Sequence, residues 1–172
     1  QEAGRHEKLL TEIFKKKKNI KYSSLTEIDK IKLLNKSIKN RKFFVDKIKI
    51  KDKENKEVWN TFKQIARTPI ECLGAYVISM TSTASDILSV YFLQQQARMQ
   101  NLIRVVPLFE TLDDLKNANG VMTNLFKLSW YRKMINSKQE VMIGYSDSSK
   151  DAGKLSASWH QYKLQEELRS LA

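Results

Sequence analysis

The chain has 172 residues, 41% hydrophobic and 29% charged, and its 31 Lys plus Arg against 19 Asp plus Glu leave a net charge of +12. That length and apolar fraction are enough for one buried core. A single cysteine, Cys72, excludes an internal disulfide framework, and no apolar run reaches the length of a membrane span.

The charge is uneven: residues 1–71 hold 20 basic and 10 acidic side chains, net +10, and residues 72–172 hold 11 and 9, net +2. The lysines of the first part alternate with Ile, Leu, Phe and acidic residues, the pattern of a solvated amphipathic face rather than of a nucleic-acid interface. We therefore expect neither a nucleic-acid nor a membrane partner. A lone cysteine suits a reducing, cytoplasmic compartment, and Cys72, just before an apolar run, is expected to be a buried small hydrophobe.

Leu9, Leu10, Ile13 and Phe14 recur at helical spacing, predicting a helix over residues 5–16 that ends in Lys15, Lys16, Lys17 and Lys18, where cations suit its dipole. Ser24 with Glu27 reads as a capping box ahead of a second helix through Ile28, Ile31, Leu34 and Ile38. Residues 40–54 are irregular and Lys-rich, the expected surface excursion. A third helix through Val58, Phe62, Ile65 and Ala66 should stop before Pro69.

From Cys72 onward the pattern changes. Three apolar runs of strand length, residues 73–80, 102–109 and 141–145, alternate with helical patterns. Thr83 with Asp86 opens the first of these helices and Thr111 with Asp114 the second, which Asn119 and Gly120 should interrupt. A last helix from about residue 152 carries Leu155, Trp159 and Tyr162 on its face. Strand and helix in threefold alternation are the signature of parallel β/α units. The domain reading is a basic helical segment, 1–71, and three β/α units, 72–172, within one domain fragment.

The stretch VMIGYSDSSKDAG, residues 141–153, reads as a strand ending in a charged turn. Ligands bind at the carboxyl ends of strands in β/α folds, so Asp147 is a candidate working carboxylate. Against that stands a plain helix start, with Ser148 or Ser149 as N-cap and Asp151 favoured by the helix dipole. A phosphate loop is rejected: Ser149 replaces the second Gly of G-x-x-x-x-G-K-[ST], and Asp151 replaces its hydroxyl residue. Glu110 ends the run VVPLF as Asp147 ends VMIGYS. In parallel strands of one sheet both acids would lie at the same mouth, an adequate protein share for a hard divalent cation; Glu110 could equally pair with a core-edge lysine.

The run G-Y-S-D-S-x-K-D-x-G with V-M-I before it resembles a signature of the phosphoenolpyruvate carboxylase family. So do LGAYVISM (73–80), SDILSVYFLQQQAR (85–98), RVVPLFETLDDL (104–115), SWYR (129–132), ASWHQYKLQEEL (157–168) and, at the start, QEAGRH (1–6). The resemblance covers the whole chain and is strong from residue 73. It implies an α-rich α/β fold, a partial TIM-like β/α barrel, within a longer enzyme that converts phosphoenolpyruvate and bicarbonate into oxaloacetate and phosphate, with homotetrameric self-association. It further implies that Glu110 and Asp147 ligate Mg2+ or Mn2+. Lys150 is then a catalytic and substrate-binding residue associated with the anionic reactants, bicarbonate foremost, and Leu108 and Met142 line the apolar pocket for the substrate's methylene end.

Neither His6 nor His160 falls in a catalytic motif of the family. Ser149, Lys154 and residues 40–54 depart from its pattern, and none of these departures touches Glu110, Asp147 or Lys150. The family's T-A-H-P-T motif, the phosphate-binding Arg expected just before Gln1 and the Gly- and Arg-rich loop expected past residue 172 are not in these 172 residues, so the chain by itself is expected to be inactive. The alternatives are a carboxylase-like scaffold without chemistry and, less favoured, a basic nucleic-acid module working through Lys15, Lys16, Lys17 and Lys18.

Overall fold

The three apolar runs each yield a strand shorter than the run. The computed structural model describes residues 1–171, with β1 at Tyr76–Ile78, β2 at Val105–Phe109 and β3 at Met142–Ile143. They form one parallel sheet in the order β1-β2-β3, pairing Tyr76 with Val105, Ile78 with Pro107, Leu108 with Met142 and Phe109 with Ile143. Local events cut the runs. Met80 turns into left-handed geometry at φ 55°, and the Ile103 amide is captured by the side chain of Gln94 at 2.9 Å instead of by a strand. Residues 1–3 lie along the other edge of β1, where the Gln1 amino group donates to the Val77 carbonyl and the Ala3 amide to the Ser79 carbonyl, both at 3.0 Å. The described residues thus form an open parallel sheet with flanking helices, not a closed barrel.

Among the described residues eight α-helices accompany it. They are α1 (Ala3–Lys18), α2 (Glu27–Lys39), α3 (Lys53–Arg67), α4 (Ala84–Gln96), α5 (Leu112–Phe126), α6 (Ser129–Met134), α7 (Tyr145–Ala152) and α8 (Lys154–Leu171). The capping boxes at Thr83 with Asp86 and Thr111 with Asp114 form as the spacing predicts. At α2 they do not: Ser24 lies in a single 3-10 turn, and Thr26 is the N-cap, accepting from the Asp29 amide. Glu27 instead reaches the start of α4, accepting from the Ser85 amide at 2.9 Å and hydroxyl at 2.7 Å. Its neighbour α3 ends at Arg67 with Thr68 extended, as the following proline requires.

Helix α4 is buried on nearly every side, as a central position requires. Ile87, Leu88, Val90, Phe92 and Leu93 are all fully buried, and the Phe92 ring stacks on Phe14 of α1 at 5.4 Å. One hydrophobic core runs from α1 to α8 and crosses residue 71 without a break. Three consecutive glutamines at the end of α4 satisfy backbone that the surrounding loops leave unpaired. Gln94 bonds both the amide and the carbonyl of Ile103, Gln95 donates to the Ile38 carbonyl, and Gln96 accepts from the Phe44 amide while donating to the Lys42 carbonyl.

Several expectations are corrected. Helix α5 runs unbroken through Asn119 and Gly120; glycine costs a helix about 1 kcal/mol, and the buried Ala118, Val121, Met122 and Leu125 outweigh it. The Lys-rich stretch 40–54 is mostly exposed, as the sequence suggests, and is pinned to the core by Val45, which is fully buried. Cys72 is exposed, because the 3-10 turn at Ile70–Cys72 lies on the surface. On α8 the face that packs inward carries Ala157, Gln161 and Leu164, leaving Leu155, Trp159 and Tyr162 exposed.

His6 is fully buried on α1, its Nε2 2.9 Å from the Tyr76 hydroxyl, which in turn donates to the Gln1 side-chain oxygen at 2.8 Å. Burial, helped by Arg5, lowers its pKa from 6.5 to about 3. The unfolded chain therefore binds a proton on His6 below pH 6.5 that the folded chain refuses. The associated stability is fully present above that pH and is lost as pH falls toward 3, by up to ~1.4 kcal/mol per pH unit. Denaturant unfolding of His6→Gln and wild type at pH 4, 5, 6 and 7.5 should show a gap that changes in the wild type's disfavour as the solution is acidified. Parallel pH dependences in the two proteins would contradict this account.

Candidate metal and substrate site

Glu110 follows the last residue of β2, and its backbone is fixed by the helix it precedes. Thr111 caps α5, and the carboxylate of Asp114, itself buried, accepts from the Thr111 amide at 3.0 Å and from the Glu110 amide at 3.4 Å. The half-buried Glu110 side chain turns toward the end of β1, where its Oε1 accepts from the Met80 amide at 3.2 Å. Met80 presents that amide from its left-handed conformation, a backbone choice that costs a residue with a Cβ about 1–2 kcal/mol. Strain of this kind concentrates at functional sites.

Residues 145–152, read from sequence as the end of a strand, a polar turn and the start of the last helix, form a helix of their own. Gly144 at its N-cap donates its amide to the Phe109 carbonyl at 2.9 Å, so α7 begins directly on the end of β2. The approach is close enough that a Cβ on Gly144 would fall 2.7 Å from the Glu110 Cβ and 3.2 Å from its Cα. At the other end Gly153, at φ 75°, makes the break before α8. Ser148 is no N-cap; it is buried, its hydroxyl donates to the Gly144 carbonyl at 2.5 Å, and it accepts from Gln161 of α8 at 2.6 Å. Asp151, expected at a helix start, sits in the last turn of α7 and accepts instead from the Leu112 amide of α5 at 2.9 Å.

These contacts orient α7. Gly144, Asp147 and Asp151, spaced i, i+3 and i+7, fall on one stripe of the helix. The upper end of that stripe touches Glu110 and the lower end bonds Leu112, two residues after Glu110. Asp147, between them, is therefore carried on the side of α7 turned toward the carboxyl end of β2. It lies in the first turn, where the helix dipole favours an anion. Its Oδ1 accepts from Lys150 Nζ at 3.2 Å, and both side chains are exposed.

Leu108 and Met142 are direct partners across β2 and β3 and so share a face of the sheet. It is the face away from Phe109, with Leu108 half-buried and Met142 exposed. A cavity of about 700 Å³ lies at the opposite end of the strands, between Arg104 ahead of β2, Val141 ahead of β3 and Leu168 of α8. It contains none of the five candidate residues. Of the two histidines, His6 is occupied with Tyr76, and His160 contacts the Ser156 carbonyl of its own helix.

Among the described residues no group of three or more His, Cys, Asp or Glu stands close enough to hold a metal ion. A cation at this mouth would therefore rest on two carboxylates. That donor set fits Mg2+ or Mn2+, hard ions that take one or two carboxylates and fill the remaining positions with water or substrate oxygens.

A family model described as phosphoenolpyruvate carboxylase matches residues 1–172, the whole chain. The chain belongs to the phosphoenolpyruvate carboxylase family. It is 45% identical to the phosphoenolpyruvate carboxylase of Actinobacillus pleuropneumoniae over all 172 residues, which are 20% of that protein's length. To phosphoenolpyruvate carboxylase 1 of Flaveria trinervia and phosphoenolpyruvate carboxylase 3 of Arabidopsis thaliana it is 52% and 53% identical over 122 residues, 71% of this chain and 13% of each plant protein. The chain thus spans a fifth or less of the carboxylases it matches.

Sequence reasoning missed Met80, Asp114 and Asp151 as partners of the candidate site. Asp114 was legible as a capping residue; nothing in the sequence tied its carboxylate to Glu110. Gly144 was legible only as a Gly after an apolar run. Gly144→Ala should cost about 1–3 kcal/mol in chemical denaturation, because the clash is with backbone as well as side chain. Gly120→Ala, on α5 with nothing within 4 Å of the added methyl, should instead stabilise by about 0.5–1 kcal/mol. Equal effects of the two substitutions would contradict the close approach.

Proposed function

We propose that this chain contributes part of the active site of a phosphoenolpyruvate carboxylase, in which phosphoenolpyruvate and bicarbonate become oxaloacetate and phosphate. What supports the proposal is the seating of α7: Gly144 lies against Glu110, Asp151 bonds Leu112, and Asp147 falls between them at helical spacing, beside the carboxyl ends of adjacent parallel strands. Ligand sites in parallel β/α folds lie at that end. The sheet itself is read as a segment of a β/α barrel completed by the rest of the longer polypeptide.

In this reading Glu110 and Asp147 hold a Mg2+ or Mn2+ ion. When bound, the ion supplies Lewis acidity toward oxygen anions of the reactants. The chain's own groups do the rest. Glu110 is pre-positioned by the Met80 amide on one oxygen, leaving the other to turn toward the mouth. Lys150, one turn along from Asp147, is a compact positive charge that attracts the anionic reactants and orients bicarbonate beside the enol phosphate. Leu108 and Met142 give the methylene carbon an apolar surface, keeping water from the atom where the new carbon–carbon bond forms.

In the full-length enzyme containing this chain, Asp147→Asn and Glu110→Gln should each abolish tight Mn2+ binding, followed by titration calorimetry. Each should also lower oxaloacetate formation by more than about a hundredfold, with thermal unfolding unchanged. The purified 172-residue chain should form no oxaloacetate, since the reactants need positioning groups from the rest of the enzyme. Full activity in either variant, or turnover by the isolated chain, would refute the assignment.

A further inference from the structure

Asp151 breaks a local rule. It lies in the last turn of α7, where the helix's own carbonyl end repels an anion, and four residues from Asp147, a like-charged spacing that destabilises a helix. Its compensation comes from outside α7: the carboxylate accepts the Leu112 amide at 2.9 Å, one of the unpaired donors at the positive end of α5. Leu112 is the first residue of α5, separated from Glu110 by the capping Thr111 alone. A carboxylate misplaced for its own helix and well placed for the next one ties the two elements together.

Building on the proposed metal site, we infer that Asp151 is a positioning residue that sets the separation of Glu110 and Asp147. Two contacts fix α7 against the Glu110 segment. The first is the Gly144 amide on the Phe109 carbonyl, at the top of the stripe; the second is Asp151 on Leu112, at the bottom. With only the first, α7 is tied to the Glu110 segment at Gly144 alone, its other brace being the Ser148–Gln161 bond to α8, and Asp147 can shift relative to Glu110. With both, the side chain midway between them is held. Asp151 is not a third ligand: its Oδ2 is committed to the amide, and no three-acid cluster forms among the described residues. The contact needs a hydrogen-bond acceptor at residue 151 and an N–H at residue 112, and it does not need the negative charge.

The test uses the full-length enzyme containing this chain, with Mn2+ affinity measured by calorimetry and Leu112 amide protection by hydrogen exchange. Asp151→Ala should weaken Mn2+ binding about tenfold to a hundredfold and expose the Leu112 amide. Asp151→Asn, which keeps an acceptor oxygen, should stay within about threefold of wild type on the same scale. Leu112→Pro deletes the donor from the other side; proline is tolerated at the first residue of a helix, and Thr111 is already extended at φ −96°, ψ 163°. It should reproduce the loss seen in Asp151→Ala, while Leu112→Ala, which keeps the N–H, should not. The double variant should lose no more than either single one.

Should Asp151→Ala fail to fold, the comparison of Leu112→Pro with Leu112→Ala decides the matter. Wild-type Mn2+ affinity in Asp151→Ala or Leu112→Pro, or equal losses in Asp151→Asn and Asp151→Ala, would overturn the inference. If Asp147→Asn and Glu110→Gln leave Mn2+ binding intact, it is the metal-site reading that fails.

Discussion

Everything at the candidate site depends on a side chain that is absent. Gly144 lets the backbone entering α7 settle against the Cα and Cβ of Glu110, closer than any residue with a Cβ could come. Its amide closes on the Phe109 carbonyl, so the first turn of α7 continues from the edge of the sheet instead of from a flexible loop. A carboxylate three residues into that helix inherits the rigidity of β2. Sites built on strands and helices hold their geometry better than sites built on loops, and this one uses both.

The sheet end is in turn braced from the side. Helix α4 fills the centre of the molecule, and its polar residues are spent on satisfying neighbouring backbone while its apolar ones pack in every direction. The buried pair of His6 and Tyr76 joins α1 to β1, with Phe62 of α3 stacked on the Tyr76 ring at 5.3 Å. Helices 1 to 3 are thus not an appendage of the β/α units. Most of the lysines that make this part basic are exposed, several of them in ion pairs such as Lys8 with Glu54 and Lys32 with Asp29.

The amino-acid sequence revealed what depends on neighbours along the chain. Helix starts at Thr83 and Thr111, the stop before Pro69 and the three apolar runs are local signals, and the structure contains each of them. What it hid depends on the third dimension. The run 145–152 looks like a turn because Ser and Asp favour turns and a Gly flanks it on each side, yet α8 supplies Gln161 to Ser148 and α5 supplies Leu112 to Asp151, and those partners make a helix of it. On α8, three large apolar side chains at helical spacing suggested the buried face, while smaller Ala157 and polar Gln161 are what fit against α7. Glu110 and Asp147 were legible as strand-end acids. The seating of α7 against Glu110 was not, because it rests on a missing Cβ and a cap donated across two helices.

The three glutamines at the end of α4 also bear on how the molecule ages. Each side chain offers an NH2 group to a backbone carbonyl, those of Ile103, Ile38 and Lys42. Deamidation of any one would replace that donor with a carboxylate oxygen and set two acceptors face to face in a water-poor interior. Gln94 and Gln96 are almost wholly enclosed, at 0% and 1% exposure, so hydrolytic water reaches them only when the centre of the fold opens. The slow chemical clock of this junction therefore runs at the rate of unfolding.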